Sequence, residues 1–348
     1  MFFDINGIFS IEITGTNKRL LRSLYNDLRI FQTDETTEAD LSVLVTDVKA
    51  SQQDCYLVER KYYVKKDSIS CRDSYKIAKW NLTLDNITSR PTVYFSGNIF
   101  SSFWLREFLI EPLITLKLAN KGFSALHASG IALNQNGFVF PACKGVGKTN
   151  TLIYAAEDGA SYLSNESCIV ANDGFVYGFP SDINLYYYNI KNDYLSNRLS
   201  YKDKLGLLLN NLVYRLSFRY ASFPLSIGPT KLFGKMESRV PLSSLILLTK
   251  TNKEHLKTKQ YDDKTDLIQK LVLINTFEMS YLFNLLEKYS YVFPETNVVS
   301  EYRKNVRDNL TKALEKVPCF EVEIPLKYDS QVYLNIRKLL KKDFDNIV

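Results

Sequence analysis

Apolar and polar positions change rhythm along the chain, and each change marks an element. Residues 7–14 alternate in the manner of an edge strand, after which Leu20, Leu21, Leu24 and Leu28 recur at helical spacing. The run LSVLVTDV at 41–48 is short, apolar and β-branched, as a strand is. From Cys55 to Phe95 short strand-like pieces such as CYLVERKYYV and PTVYFSG are separated by charged or Asn/Ser-rich turns. Together these predict a small α+β unit with antiparallel hairpins. A helix is expected over 102–120, where Trp104, Leu105, Phe108, Leu109, Leu113, Leu116 and Leu118 lead to a Lys121-Gly122 stop.

Beyond that helix the pattern changes. ALHASGIAL and GFVFPA read as two strands joined by Asn134-Gln135-Asn136-Gly137, whose Asn and Gly residues tolerate positive φ. The second strand runs directly into ACKGVGKT, and TNTLIYAAEDG continues as a helix that Gly159 can end. VPLSSLILLT (240–249) is a buried strand, 262–291 and 299–315 are helical, VPCFEVEIP (317–325) is a last strand and QVYLNIRKLLKK a terminal helix. The expected fold class is therefore α/β. A small α+β domain with its linking helix covers 1–120, and a second domain covers 121–348 with an insertion at about 196–236.

Composition narrows the function classes. With 348 residues, 45% apolar and 24% charged, the chain can bury two cores, which excludes disorder as its dominant state. Its most apolar stretch, residues 103–119, contains Arg106, Glu107, Glu111 and Lys117, so no run reaches the roughly 20 uncharged residues of a membrane span and no membrane partner is expected. Between Arg198 and Lys235 seven basic side chains face Asp203 alone, a local +6 equal to the formal net charge of the whole chain. Such a field suits phosphate groups or an acidic peptide, and is equally what a solvated face on a helical insertion carries. The five cysteines form no Cys-x-x-Cys pair, and with only His127 and His255 a His-rich metal site is excluded. Asp4 and the lack of a basic n-region argue against a signal peptide, so a cytoplasmic location is expected.

The strongest chemical signal is Ala142-Cys143-Lys144-Gly145-Val146-Gly147-Lys148-Thr149. It fits the relaxed phosphate-loop pattern in its required setting, after a strand and opening a helix. Gly145 and Gly147 let backbone N–H groups turn inward, and the following helix offers its uncapped amides and positive dipole end. Lys148 can reach β- and γ-phosphates, and the Thr149 hydroxyl can ligate Mg2+. Cys143 reads as a small loop residue. Asn252-Lys253-Glu254-His255 mimics the guanine-reading Asn-Lys-x-Asp but ends in His, which lacks the necessary carboxylate.

The ordered set LHASGIAL, GFVFPACKGVGKT, GASYLSNES, GFPSDINLYY, VPLSSLILLT and VPCFEVEIP resembles the HPr serine kinase and phosphorylase family, whose phosphate-loop fold is shared with phosphoenolpyruvate carboxykinases. Within it the chain is most similar to the kinases of peptide-modification clusters, which phosphorylate a serine of a precursor peptide such as a lasso peptide. The resemblance covers about 121–335. It implies an ATP- and Mg2+-dependent kinase acting on a Ser or Thr hydroxyl of a peptide or protein. The basic insertion is then a candidate grip for an acidic leader peptide or a closure over nucleotide. A homo-oligomer is left open, and no motif supports nucleic-acid binding.

By the same resemblance, Lys148 and Thr149 hold the triphosphate and its metal, and His127 sits beside the phosphates near the reacting centre, where it or Glu166 would handle the proton; from the residues alone His127 reads as a core histidine. Arg239, ahead of VPLSSLILLT, stands where the family carries a basic residue near the phosphates, and Asp182 lies in a segment that lines the family's site. The family's acidic pair falls on Asn165 and Glu166, and here the chain departs from the pattern. The first member is expected to be an aspartate that takes the proton from the attacking hydroxyl, and an amide cannot do so. Glu166 takes over as base and metal ligand, or positioning and electrostatics suffice, or the chain binds nucleotide as a degenerate kinase without transfer.

Overall fold

The structure, a computed structural model, describes residues 1–35, 38–47, 54–218, 223–326, 328 and 330–345; Val48 of the expected 41–48 strand and Arg219 of the basic segment lie outside the described residues. The protein is mixed α/β, 40% helix and 32% strand, with several sheets. It divides into two units, one of Met1–Ser124 with Asn275–Asp308, the other of Ala125–Ile274 with Asn309–Val348.

The first unit contains β1 (Phe2–Ile5), β2 (Phe9–Gly15), α1 (Lys18–Leu28), β3 (Gln32–Thr33), β4 (Leu41–Val45), β5 (Tyr56–Val58), β6 (Tyr62–Lys65), β7 (Ser68–Tyr75), β8 (Ala78–Asp85) and β9 (Thr92–Gly97). They form a sheet of order β3-β1-β2-β4-β9-β8-β7-β6-β5. The β5-to-β9 part is the expected antiparallel meander, whereas β4 pairs parallel with both β2 and β9. Alternation buries Phe9, Ile11 and Ile13 of β2 and Leu41, Val43 and Val45 of β4 on the core face. The 7–14 segment was expected at an edge, but β1 lies beside β2 across the Asn6-Gly7 turn, where both residues have positive φ, and β4 closes its other side.

Helix 102–120 is present as α2 (Ser102–Leu105), a π turn (Arg106–Ile110) and α3 (Glu111–Asn120). Trp104 stacks on Trp80 of β8, ring centroids 3.9 Å apart.

The second unit holds β10 (Phe123–Leu133), β11 (Asn136–Pro141), α4 (Lys148–Glu157), β12 (Ser161–Ser164), β13 (Ser167–Ala171), β14 (Phe175–Tyr177), β15 (Ile183–Leu185), α5 (Asp193–Arg198), α6 (Tyr201–Leu216), β16 (Leu225–Ile227), β17 (Arg239–Lys250) and β18 (Lys257–Gln260). The expected 262–291 helix is two, α7 (Thr265–Glu278) and α8 (Ser280–Val292); α9 (Val298–Ala313), β19 (Cys319–Ile324) and α10 (Ser330–Asp345) complete the chain. The sheet order is β11-β10-β13-β14-β17-β19-β18, with β12 on β10. A further parallel pairing of β11 with β17 joins the first part of this path into a ring. β17 also runs parallel to β19, so β11, β17 and β19 form a parallel core. Phe138, Phe140, Ile246, Leu248, Phe320 and Val322 from these strands pack with Leu152 and Ile153 of α4 and Ile336 of α10.

One part of the expected domain division needs correction. Residues 275–308 belong with the first unit, not with a continuous 121–348 domain. The physical cause is an aromatic cluster: Tyr281 of α8 meets Trp104 edge-on at 4.3 Å, and its ring also faces Trp80.

Candidate phosphate-binding site

β10 and β11 pair antiparallel from Ala128↔Pro141 to Leu133↔Asn136, with Asn134 and Gln135 at positive φ in the turn. This register places His127 within β10, one residue beyond the stretch paired with β11 and next to the point where β11 becomes the loop, and the Ala142 amide donates to the His127 carbonyl at 3.3 Å. The loop then turns through Gly145 (φ +79°) and Gly147 (φ +131°), backbone conformations that favour glycine. A Cβ on Gly145 would meet nothing within 4 Å, whereas one on Gly147 would lie 2.5 Å from the Tyr328 ring. Tyr328 in turn bonds the Thr151 hydroxyl at 2.9 Å. Gly147 gives α4 no side-chain cap, so the first-turn amides look outward for acceptors.

Lys148, the first residue of α4, is buried. Its ammonium donates to the Ala142 carbonyl at 2.8 Å and to His127 Nε2 at 2.7 Å, with the Cys143 carbonyl at 3.5 Å. Burial first, and then the charges of Lys148 and Lys144, push the His127 pKa down to about 3. The imidazole is therefore neutral at pH 7, with its Nε2 lone pair directed at Lys148. A histidine in this state is a poor proton acceptor, which argues against a part in proton handling; its ring offers a fixed acceptor to the lysine.

The turn between β12 and β13 supplies the third wall. The Ser164 hydroxyl donates to the Phe179 carbonyl and accepts from the Ser167 amide, holding the turn closed around Asn165 and Glu166. The Ala128 amide donates to the Glu166 carbonyl at 3.2 Å, which ties this turn to β10. Glu166 Oε2 comes within 4.0 Å of His127 Nε2. Asn165 is 1% exposed; its Nδ2 donates to Glu166 Oε1 at 3.3 Å while its Oδ1 has no hydrogen-bond partner. A buried amide oxygen without a donor is costly, and a ligand hydroxyl or bound water here would satisfy it.

The structure thus gathers residues 142–149, His127, Asn165 and Glu166. It does not bring Arg239 to them. Arg239 begins β17 opposite Tyr177, beside Val240, which packs at Gly137 near the turn of the β10–β11 hairpin. The loop leaves the opposite end of β11. The Arg239 guanidinium instead lies over the Phe175 ring at 3.8 Å and pairs with Asp173 at 3.3 Å. Asp182 is exposed just before β15, and Tyr187 and Tyr188 open a 3-10 turn capped by Tyr186. Tyr328 was not singled out from sequence, and no spacing signal links it to a glycine so distant in the chain.

Uncapped helix amides, two positive-φ glycines and a buried ammonium match the needs of a phosphate chain. Among the described residues no group of three or more His, Cys, Asp or Glu side chains is placed to hold a metal, and no helix is long and apolar enough to cross a membrane. A magnesium ion here would have the Thr149 hydroxyl and Glu166 as protein donors and draw the remainder from phosphate and water, as that ion commonly does. Comparison of the sequence with protein-family models and with curated proteins gives no match.

Proposed function

We propose that the chain is an ATP-dependent phosphotransferase with an HPr-kinase-like phosphate-loop domain, acting on a Ser or Thr hydroxyl of a peptide or protein. The observation that supports it best is the meeting of Lys148 with His127 and Glu166 at the mouth of the loop. On this reading the loop amides and Lys148 hold the β- and γ-phosphates. Thr149 and Glu166 would hold a magnesium ion, which when bound would supply neutralising charge to the phosphate oxygens. The Asn165 Oδ1 accepts a hydrogen bond from the incoming hydroxyl and orients it. As the new oxygen–phosphorus bond forms and the bond to the β-phosphate oxygen breaks, the hydroxyl proton passes to the Glu166 carboxylate and ADP departs.

The experiment is calorimetric binding of Mg-ATP to the wild type and to Lys148→Ala, with phosphate transfer followed by mass spectrometry on serine-containing peptides encoded beside the gene. Binding abolished in the variant and a peptide gaining the mass of one phosphate support the proposal. No binding by the wild type refutes it.

A second reading, a nucleotide-binding kinase homologue without transfer, is favoured by the Asn165 amide and the poorly basic His127. Asn165→Asp separates the two: activity appearing only in the variant supports the second reading, and little change supports Glu166 as the base.

A further inference from the structure

Helix α6 is built inside out. A Ser200–Asp203 capping box starts it, and among its sixteen residues Leu207 alone is buried. The side turned inward carries Asp203, Asn210, Asn211 and Tyr214. Leu205, Leu208, Leu209, Leu212, Val213 and Leu216 are all exposed, as is Tyr201 at 81%, and Phe218 just beyond the helix is 95% exposed. At 100° per residue the exposed apolar arc spans about 140° of the circumference. Arg215 borders it on one side with Lys204 beyond, Lys202 lies inside it between Leu209 and Val213, and the one carboxylate of the helix, Asp203, is turned inward to Lys231 at 3.0 Å.

We propose that α6 is an interfacial helix that seats this protein on an anionic lipid surface. Arg215 and Lys204 beside the apolar arc place cations at headgroup level, the long stem of Lys202 lets its ammonium reach the same level from within the arc, and the leucines enter the acyl boundary. An arc this wide exceeds the narrow seam that a single partner helix covers. A second copy would bring the same uncompensated cations against each other, with no acidic group on the exposed side to offset them. The inference is independent of the phosphotransferase reading and replaces the expectation of no membrane partner, which rested only on the lack of a spanning segment.

The test is co-sedimentation of the full chain with vesicles of phosphatidylcholine alone or with about one quarter phosphatidylglycerol. Expected is sedimentation with the anionic vesicles only, weakened by added salt. Leu208→Glu/Leu212→Glu should reduce it by at least about tenfold, and Lys202→Glu/Arg215→Glu should remove the lipid preference. All four side chains face solvent, and circular dichroism of the variants checks that the fold persists. No sedimentation with anionic vesicles overturns the proposal, as does undiminished sedimentation of the double-leucine variant. A dimer in analytical ultracentrifugation that Leu208→Glu/Leu212→Glu abolishes also overturns it, by giving the face to a second copy, and tight capture of an acidic helical peptide without vesicle binding does the same.

Discussion

Lowering the pH should destabilise the second unit through one side chain. His127 has its pKa held at about 3 against an ordinary 6.5, so between these values the unfolded chain binds a proton that the folded chain refuses. The contribution is complete above pH 6.5, declines as the pH falls, and stops declining below pH 3. The slope is about 1.4 kcal/mol per pH unit, which makes the loss at pH 5 about 2 kcal/mol relative to pH 7. His127→Gln removes the titration while its side-chain oxygen can still accept from Lys148. Urea unfolding of both proteins at pH 7 and pH 5 isolates the term, because carboxylates common to both cancel in the difference. The wild type should lose about 2 kcal/mol more than the variant over that interval. NMR gives a direct check, since the chain has only two histidines and His255→Asn identifies the His127 resonance. Identical pH dependence of the two proteins, or a His127 resonance that titrates near 6.5, would refute the argument and restore His127 as a proton carrier.

Other outcomes follow from the same geometry. Gly147→Ala must accommodate a Cβ at 2.5 Å from the Tyr328 ring at a φ of +131°, so it should weaken nucleotide binding more than Gly145→Ala, which meets open space; calorimetry on the pair ranks them. Gly145→Ala alone should cost about 1 kcal/mol of backbone strain in urea unfolding. Trp104→Ala removes a buried ring from between Trp80 and Tyr281 and should cost about 3–5 kcal/mol, read from urea unfolding of the first unit with near-ultraviolet dichroism as the probe. Arg239→Ala should leave nucleotide affinity and phosphate transfer unchanged, because its guanidinium serves Asp173 and Phe175; a tenfold loss of either would show that the hairpin end communicates with the loop.

Local chemistry made much of the loop visible in the residues themselves. Only glycine takes the φ values at 145 and 147 without strain, and a helix must follow for its amides to point at one place; the hairpin was legible too, though its turn falls on Asn134-Gln135, with Asn136-Gly137 already paired in β11. The strand at Leu41–Val45 was visible through its alternation, and the 102–120 helix through its length and apolar content, although its last turns are buried nearly all round. Arg239 failed as a site residue because sequence order says nothing about which end of a strand meets the loop, and only the register of β17 on β11 decides that. The place of residues 275–308 rests on Trp80, Trp104 and Tyr281, contacts across some two hundred positions that no local pattern encodes. His127 shows the division most clearly. Its presence beside a phosphate loop could be read from the chain, but its protonation state could not, because that depends on how deeply the fold buries it and on the ammonium brought to its ring. The exposed face of α6 belongs with it: amphipathicity is written in the sequence, but which side faces water was decided by packing.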